Sequence, residues 1–238
     1  MVIFWRLMLG HLLADFTFQT DFINRWKRSS VWGMIAHCAM HPAAYAALTY
    51  PYLRDVWIGL GPVRLEGWAC ILIVFIAHFM EDQWRVFTIF KHGLPDNTLY
   101  FVWDQIIHYA VIFAVIPAGL RGANPQLVPE PWAVLGCLFV VVTHACTVLI
   151  YFIEKDLSGK VFPGFQEKYA TMAERLVLGL CFLVPGHFWP ILALGWLSLM
   201  HYARSKRLLD LSWLSFYLGA VVAVLCGVAG RMVYHLGG

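Results

Sequence analysis

The chain has 238 residues, of which 61% are hydrophobic and 13% are charged, and its net charge is +3. Soluble domains are close to half apolar and a quarter charged, so one globular core cannot bury this excess of apolar residues. The small, scattered positive charge excludes a nucleic-acid-binding protein. The composition therefore predicts an integral membrane protein, with the lipid bilayer as its partner.

Eight apolar stretches are candidates for membrane-embedded helices, since a crossing needs roughly 20 mostly apolar residues. They cover about residues 2–22, 31–50, 67–90, 98–117, 132–153, 171–185, 188–203 and 210–235. A single helix over 171–203 would be about 50 Å long, which exceeds the hydrocarbon core. The sequence therefore predicts an all-α fold, a polytopic transmembrane helical bundle of seven to eight membrane segments that include a short broken hairpin.

Domain organisation and orientation follow from the same stretches. We expect one transmembrane domain over residues 1–238, with a four-helix half at 1–117 and supporting helices at 118–238. Cytoplasmic loops carry an excess of Lys and Arg. Twelve of the seventeen basic residues lie on the side of four connections, at 24–30, 91–97, 154–170 and 204–207. This side is predicted to face the cytoplasm, which puts the N-terminus outside.

Each of the first four stretches carries two His or Asp residues spaced four positions apart. The pairs are His11 with Asp15, His37 with His41, His78 with Asp82, and Asp104 with His108. On a helix this spacing places both side chains on one face, one turn apart. Counted from the basic connections, the pairs lie at overlapping heights, so all eight groups can converge.

The eight residues predict a buried metal centre. Ionisable groups inside a membrane are costly unless they are paired or bind an ion, and four-helix bundles with inward carboxylates and imidazoles are a common way to build di-metal sites. Imidazole and carboxylate ligands suit Zn, Fe or Mn. We expect two divalent transition-metal ions, with Zn as the first choice. A polar network without metal and a proton relay are the alternatives, and His144 is a candidate for either a further ligand or a packing residue.

Catalytic and substrate-binding candidates lie beside these pairs. Asp21 and Glu81 are candidates for a general base, because hydrolysis at a metal needs a group that takes a proton from water. Arg85, Lys91 and Arg175 are candidates for binding an anionic head group, together with Lys160. For both acidic residues a solvated helix end is the alternative. The six cysteines contain no C-x-x-C pair and are typical of small buried hydrophobic residues.

The motifs resemble the signature of a bacterial inner-membrane protein family of unknown function. The matching residues are Gly-His-Leu-Leu-Ala-Asp-Phe at 10–16, Gln-Thr-Asp at 19–21, His37-x-x-x-His41, His78-x-x-x-Asp82 and Asp104-Gln105-x-x-His108. The resemblance covers about residues 7–115, with a weaker match at Glu174-Arg175. It implies a location in the bacterial inner membrane but no reaction. The chain is also distantly similar to membrane-bound metal-dependent hydrolases.

Together these features lead to one functional hypothesis with two alternatives. The first is an integral-membrane metal-dependent hydrolase that acts on a lipid or another amphiphilic small molecule from the cytoplasmic leaflet. The alternatives are a di-iron oxidase or hydroxylase, and a metal or proton transporter. The last three stretches contain almost no charge in their middle, which disfavours a transport path to the outer face.

Overall fold

A computed structural model describes residues 2–117, 128–207 and 211–236. These residues are mostly helical, which confirms the all-α class at a coarse level. The chain divides into two compact units, Met1–Ala133 and Val134–Gly238, and helix α6 (Glu130–Val140) runs across this boundary. The sequence places the division earlier, after residue 117.

Helices form most of the first unit. They are α1 (Val2–Leu12), α2 (Asp21–Ser29), α3 (Val31–Thr49), α4 (Gly67–His92) and α5 (Thr98–Ala114). A π-helical segment, Leu13–Phe18, continues α1 and carries Asp15. Segments of this kind occur mainly as local bulges in α-helices, often at functional sites.

The basic connection expected at 24–30 is largely helical in the structure, as α2. Its N-cap Thr20 accepts a hydrogen bond from the backbone N–H of Ile23, and Lys27 and Arg28 lie in its last turn, where cations stabilise a helix. Gly33 allows α3 to pack closely on α2, since a Cβ there would lie 2.4 Å from the carbonyl oxygen of Trp26. This close contact keeps α2 beside α3.

A β-hairpin occupies the connection between α3 and α4, where the sequence analysis predicts only a break between helices. Strand β1 (Val56–Leu60) pairs antiparallel with β2 (Val63–Glu66), and Leu60 is opposite Val63. Gly61 has a φ of +58° in the two-residue turn, a conformation that glycine adopts without strain. The hairpin is a short addition to a mostly helical chain, so the all-α class still holds at a coarse level. Alternating apolar residues that flank a Gly-Pro turn explain the hairpin.

The second unit contains the remaining helices. They are α7 (Cys146–Ser158), α8 (Phe165–Leu183), α9 (Trp189–Ser205) and α10 (Trp213–Leu236). A π-helical segment, Val141–Ala145, joins α6 to α7. The break predicted between 185 and 188 is present, because α8 ends at Leu183 and α9 begins at Trp189 with Pro190 in its first turn.

Two helices among the described residues are long and apolar enough to cross a membrane. They are Glu130–Ser158 and Trp213–Tyr234, and core helices of soluble proteins can meet the same criteria. The predicted number of seven to eight membrane segments is not supported by this measure. Helix α1 is short, and the polar residues of the central cluster lower the mean hydropathy of α3 and α4.

Candidate metal centre

The carboxylate of Asp15 lies at the centre of a cluster of five histidines. Distances from Oδ1 are 3.3 Å to Nε2 of His37, 3.2 Å to Nε2 of His41 and 3.7 Å to Nε2 of His78. Distances from Oδ2 are 3.5 Å to Nε2 of His11 and 3.7 Å to Nδ1 of His108. All six side chains are buried. Four separate helical segments thus converge on one carboxylate.

The i, i+4 spacing places each pair as the sequence predicts. His37 and His41 are fully buried on the same face of α3, and His78 and Asp82 are 3% and 4% exposed on α4. A close approach of α1 to α3 completes the arrangement, since a Cβ at Gly10 would lie 2.7 Å from the ring of Tyr45. Small residues let helices approach closely, so Gly10 allows the neighbouring His11 and Asp15 to lie against α3.

Two groups of potential ligands share no residue. We call the first the histidine group, and it consists of Asp15, His37, His41 and His78. We call the second the carboxylate group, and it consists of Glu81, Asp82, Asp104 and His108. Within each group, one ligand atom from every residue lies within 4.8 Å of the others. These groups could hold a metal ion.

Further groups of the same kind overlap with these two. One contains His11, His78 and His108, and another contains Cys38, His78 and Asp82. Cys38 is predicted to be a packing residue, and nothing in its local sequence distinguishes it from the other buried cysteines. Its place beside His78 and Asp82 depends on the packing of α3 against α4.

Several buried polar atoms of the cluster have no hydrogen-bond partner among the described residues. They are Nδ1 of His11, His37, His41 and His108, Nε2 of His78 and Oδ1 of Asp104. Buried polar groups are nearly always satisfied, and each unsatisfied one costs about 1–3 kcal/mol. Imidazole nitrogens and carboxylate oxygens are metal ligands, so the donor set and its unmet bonding capacity fit a bound cation.

Lys27 contacts the cluster from α2, although the sequence analysis counts it only as a basic residue of a connection. Its Nζ donates a hydrogen bond to Oδ2 of Asp82 over 3.0 Å and lies 3.2 Å from Nε2 of His37. Oδ2 of Asp82 is itself 3.2 Å from Nε2 of His37. One ammonium therefore touches a member of each ligand group.

Arg85 lies on the carboxylate side of the cluster. Its Nη1 donates to Oδ2 of Asp104 over 2.9 Å, and its Nη2 donates to Oδ1 of Asp96 over 3.0 Å. Asp96 also accepts two hydrogen bonds from Arg28. Gln105 donates to both Asp15 and Asp104. Arg85 is thus tied into an ion-pair chain that extends from the cluster to the more exposed Arg28.

The two predicted general bases occupy different environments. Glu81 is 9% exposed, and its Oε2 lies 3.0 Å from Nε2 of His108. Asp21 is exposed in the first turn of α2 and belongs to none of the ligand groups found among the described residues. Only Glu81 lies within the cluster.

The other predicted site residues lie outside the ligand groups. Lys91 is exposed near the end of α4, where its ammonium lies 4.9 Å from the ring centre of Phe87. His144 lies in the π-helical segment of the second unit, 3.0 Å from the hydroxyl of Thr143. Partial burial lowers the pKa of Lys160, but hydrogen bonds to Glu167 and Glu154 outweigh this effect and raise the pKa above its ordinary value.

Arg175 is buried in the second unit, where its guanidinium binds the backbone. It donates to the carbonyl oxygens of Val142 and Thr143 and to the hydroxyl of Thr147. The π-helical segment Val141–Ala145 leaves such carbonyls available, because its hydrogen-bond pattern departs from the α-helix. These contacts give Arg175 a structural role that the sequence does not reveal.

Comparison with known families gives a match over the first part of the chain. The sequence model of a family described as "Protein of unknown function (DUF3307)" matches residues 3–136, a range that contains all eight predicted ligands. No curated protein and no solved structure matches the chain.

Proposed function

The chain belongs to the DUF3307 family of proteins of unknown function, and from this premise we propose that it is an integral-membrane metalloprotein that hydrolyses an amphiphilic substrate. The observation that carries the metal part of the proposal is the carboxylate of Asp15 surrounded by five buried imidazoles. The hydrolytic part rests on the chemistry of that ligand set and on the adjacent Glu81.

The histidine group is the primary ion site. Three imidazoles and one carboxylate match the ligands that Zn prefers, while Fe and Mn accept the same types. Nε2 of His37 and Nε2 of His41 lie 3.3 Å and 3.2 Å from the same oxygen, Oδ1 of Asp15. The carboxylate group is a second site, in which three of the four ligands are carboxylates. Because the two groups share no residue, each can hold its own ion.

Charge balance supports a bound cation. Among the described residues, four carboxylates of the cluster contact only two cationic side chains, Lys27 and Arg85. With neutral imidazoles, two negative charges are uncompensated in a buried site, which is costly in a low dielectric. One divalent ion restores neutrality. Two protons on the imidazoles would do the same, which is the competing polar-network explanation.

The distribution of apolar side chains supports a membrane location for the first unit. Along α4, Leu72, Ile76, Met80 and Trp84 recur at every fourth position and are about half exposed. The opposite face of the same helix carries the buried His78 and Asp82. Helix α5 repeats this arrangement, with Trp103 and Ile106 exposed and Asp104 and His108 buried. A polar interior with an apolar exterior suits a lipid surround, here the bacterial inner membrane.

The reaction follows from the chemistry of the ligand set. A divalent ion held by the histidine group would supply Lewis acidity, which lowers the pKa of bound water toward neutrality. Glu81 is placed to accept a proton, because its carboxylate is buried in the cluster with Oε2 3.0 Å from Nε2 of His108. Arg85 and Lys91 attract an anionic head group from the cytoplasmic side. A substrate held in the bilayer reaches such a buried site laterally.

Metal content tests the first part of the proposal. Protein purified without chelator is expected to contain Zn, Fe or Mn, and His78→Ala is expected to lower that content sharply. His187→Ala is the matched control, because His187 is exposed in the connection between α8 and α9. Wild-type protein with no metal above background would contradict the proposal.

Hydrolysis is tested separately with metal-loaded protein and synthetic phospholipid or isoprenoid phosphate in detergent. Glu81→Gln is expected to lower kcat by about 100-fold or more while the histidine group keeps its ion. If the wild type turns over substrate and Glu81→Gln does so at the same rate, Glu81 is not the general base. Loaded protein that hydrolyses neither lipid but moves metal ions across sealed vesicles would favour transport.

A further inference from the structure

The ammonium of Lys27 bridges the two ligand groups. Its Nζ is 3.0 Å from Asp82, a member of the carboxylate group, and 3.2 Å from His37, a member of the histidine group. Its side chain is 13% exposed. A single positive charge therefore occupies the boundary between two sets of cation ligands.

The carboxylate group has unused capacity for a cation. Oδ1 of Asp104 and Nδ1 of His108 have no hydrogen-bond partner among the described residues, and the two residues are 2% and 3% exposed. One ligand atom of each of these two residues lies within 4.8 Å of a ligand atom of Glu81 and of Asp82. In this group, Asp82 is the residue bound to Lys27.

Lys27 and Arg85 differ in how firmly they are held. Arg85 is fixed by two carboxylates, Asp104 and Asp96, which it contacts with different nitrogens. Lys27 extends a flexible four-carbon side chain from the nine-residue α2, whose residues are all at least partly exposed. A lysine ammonium is a compact charge that can turn away into water, whereas a bridged guanidinium cannot do so without breaking both pairs.

We infer that Lys27 is a built-in cation that competes with a second divalent ion for the carboxylate group. Because like charges repel strongly in a buried site, the ammonium and an ion bound to Asp82 exclude one another. In the histidine group, Lys27 contacts His37 but not Asp15, His41 or His78. This group therefore holds the first ion. This inference rests on the proposed metal-binding function and adds that Lys27 sets the number of ions bound.

Titration of metal-free protein with Zn²⁺ in detergent tests the inference, with calorimetry for affinity and elemental analysis for the number of ions. Wild-type protein is expected to bind one ion tightly and a second weakly. Lys27→Gln is expected to strengthen the second ion by at least about 10-fold. Lys27→Arg keeps the charge and is expected to retain weak binding of the second ion. Lys206→Gln, an exposed lysine in the second unit, is the matched control.

The outcomes separate this inference from the proposed function. A wild type that binds no ion contradicts the proposed function itself. If wild-type protein binds one ion and Lys27→Gln leaves the second affinity unchanged, only the role of Lys27 is overturned. Loss of the first ion in Lys27→Gln also overturns it, since Lys27 would then support the histidine group. Adding Asp104→Asn to Lys27→Gln is expected to remove the second ion and leave the first.

Discussion

The ammonium of Lys27 donates a hydrogen bond to the carboxylate of Asp82 over 3.0 Å, although the two residues are 55 positions apart. Lys27 belongs to the short α2, and Asp82 lies on the buried face of α4. A basic helix at the edge of the first unit therefore contributes a charge to the buried cluster, as Arg85 does from α4. Two of the four carboxylates in the cluster are therefore paired with a cationic side chain of the protein itself.

Replacing Asp15 by Asn is expected to abolish tight metal binding. The amide has nearly the same shape but lacks the negative charge that faces five histidines, so Zn²⁺ affinity is expected to fall by at least about 100-fold. Elemental analysis after dialysis measures the loss, and circular dichroism checks that the helices remain. Asp156→Asn, which removes an exposed carboxylate on α7, is the control. Unchanged metal content in Asp15→Asn would rule out Asp15 as a ligand.

Metal retention is expected to fall as the pH is lowered. Imidazoles and carboxylates must lose their protons before they coordinate an ion, so protons and metal compete for the same atoms. The sign is therefore fixed: affinity is highest at neutral to mildly alkaline pH and declines in acid. A Zn²⁺ titration at several pH values measures this slope. Affinity that is independent of pH would place the ion outside the histidine group.

Arg175→Met is expected to destabilise the second unit. The substitution keeps much of the apolar side chain but leaves the carbonyl oxygens of Val142 and Thr143 without their donors, at a cost of about 2–5 kcal/mol. The midpoint of thermal unfolding in detergent, followed by circular dichroism, measures the change. Arg207→Met, at an exposed residue after α9, is the control. Unchanged stability with weaker substrate binding would instead support the head-group role predicted from the sequence.

Ile76→Arg is expected to weaken membrane insertion. Ile76 is 48% exposed on the apolar face of α4, opposite the cluster. An arginine near the centre of a membrane helix costs about 2.5–3.5 kcal/mol on insertion scales. The fraction of protein that stays in membranes after alkaline extraction measures the effect, and Gln166→Arg adds the same charge at an exposed polar residue of α8. Equal recovery of both variants in a folded, soluble form would contradict a lipid-facing α4.

The regular spacing of the polar pairs made much of the site predictable. A period of four residues fixes the face of a helix, so His37 with His41 and His78 with Asp82 could be assigned to common faces before any packing was known. Counting residues from the basic connections then placed the pairs at similar heights. The structure brings all eight residues into one buried cluster. Their role as metal ligands stays a prediction.

Other parts of the fold depended on local signals that were weaker than the hydropathy pattern. Thr20 is a typical N-cap residue, but the basic residues that follow it favour a connection at 24–30 over the helix α2. Gly61 is typical of a hairpin turn, but the Gly-Pro sequence there favours a simple break between helices. Apolar composition predicts seven to eight membrane segments, whereas two helices among the described residues meet the criteria of length and hydropathy. Long apolar stretches and buried polar residues occur in the same helices, and mean hydropathy averages over the two faces.

Helical periodicity predicts which residues share a helix face, and the cost of exposing polar groups to lipid predicts that those faces are buried. Which atoms meet depends on how the helices pack, and this is visible in the structure alone. The position of Asp15 among five imidazoles, the reach of Lys27 to Asp82 and the binding of Arg175 to backbone carbonyls all join distant segments. Periodicity defines the direction of a side chain from its own helix axis. It does not define which neighbouring helix lies there or how far a flexible lysine or arginine extends to reach it.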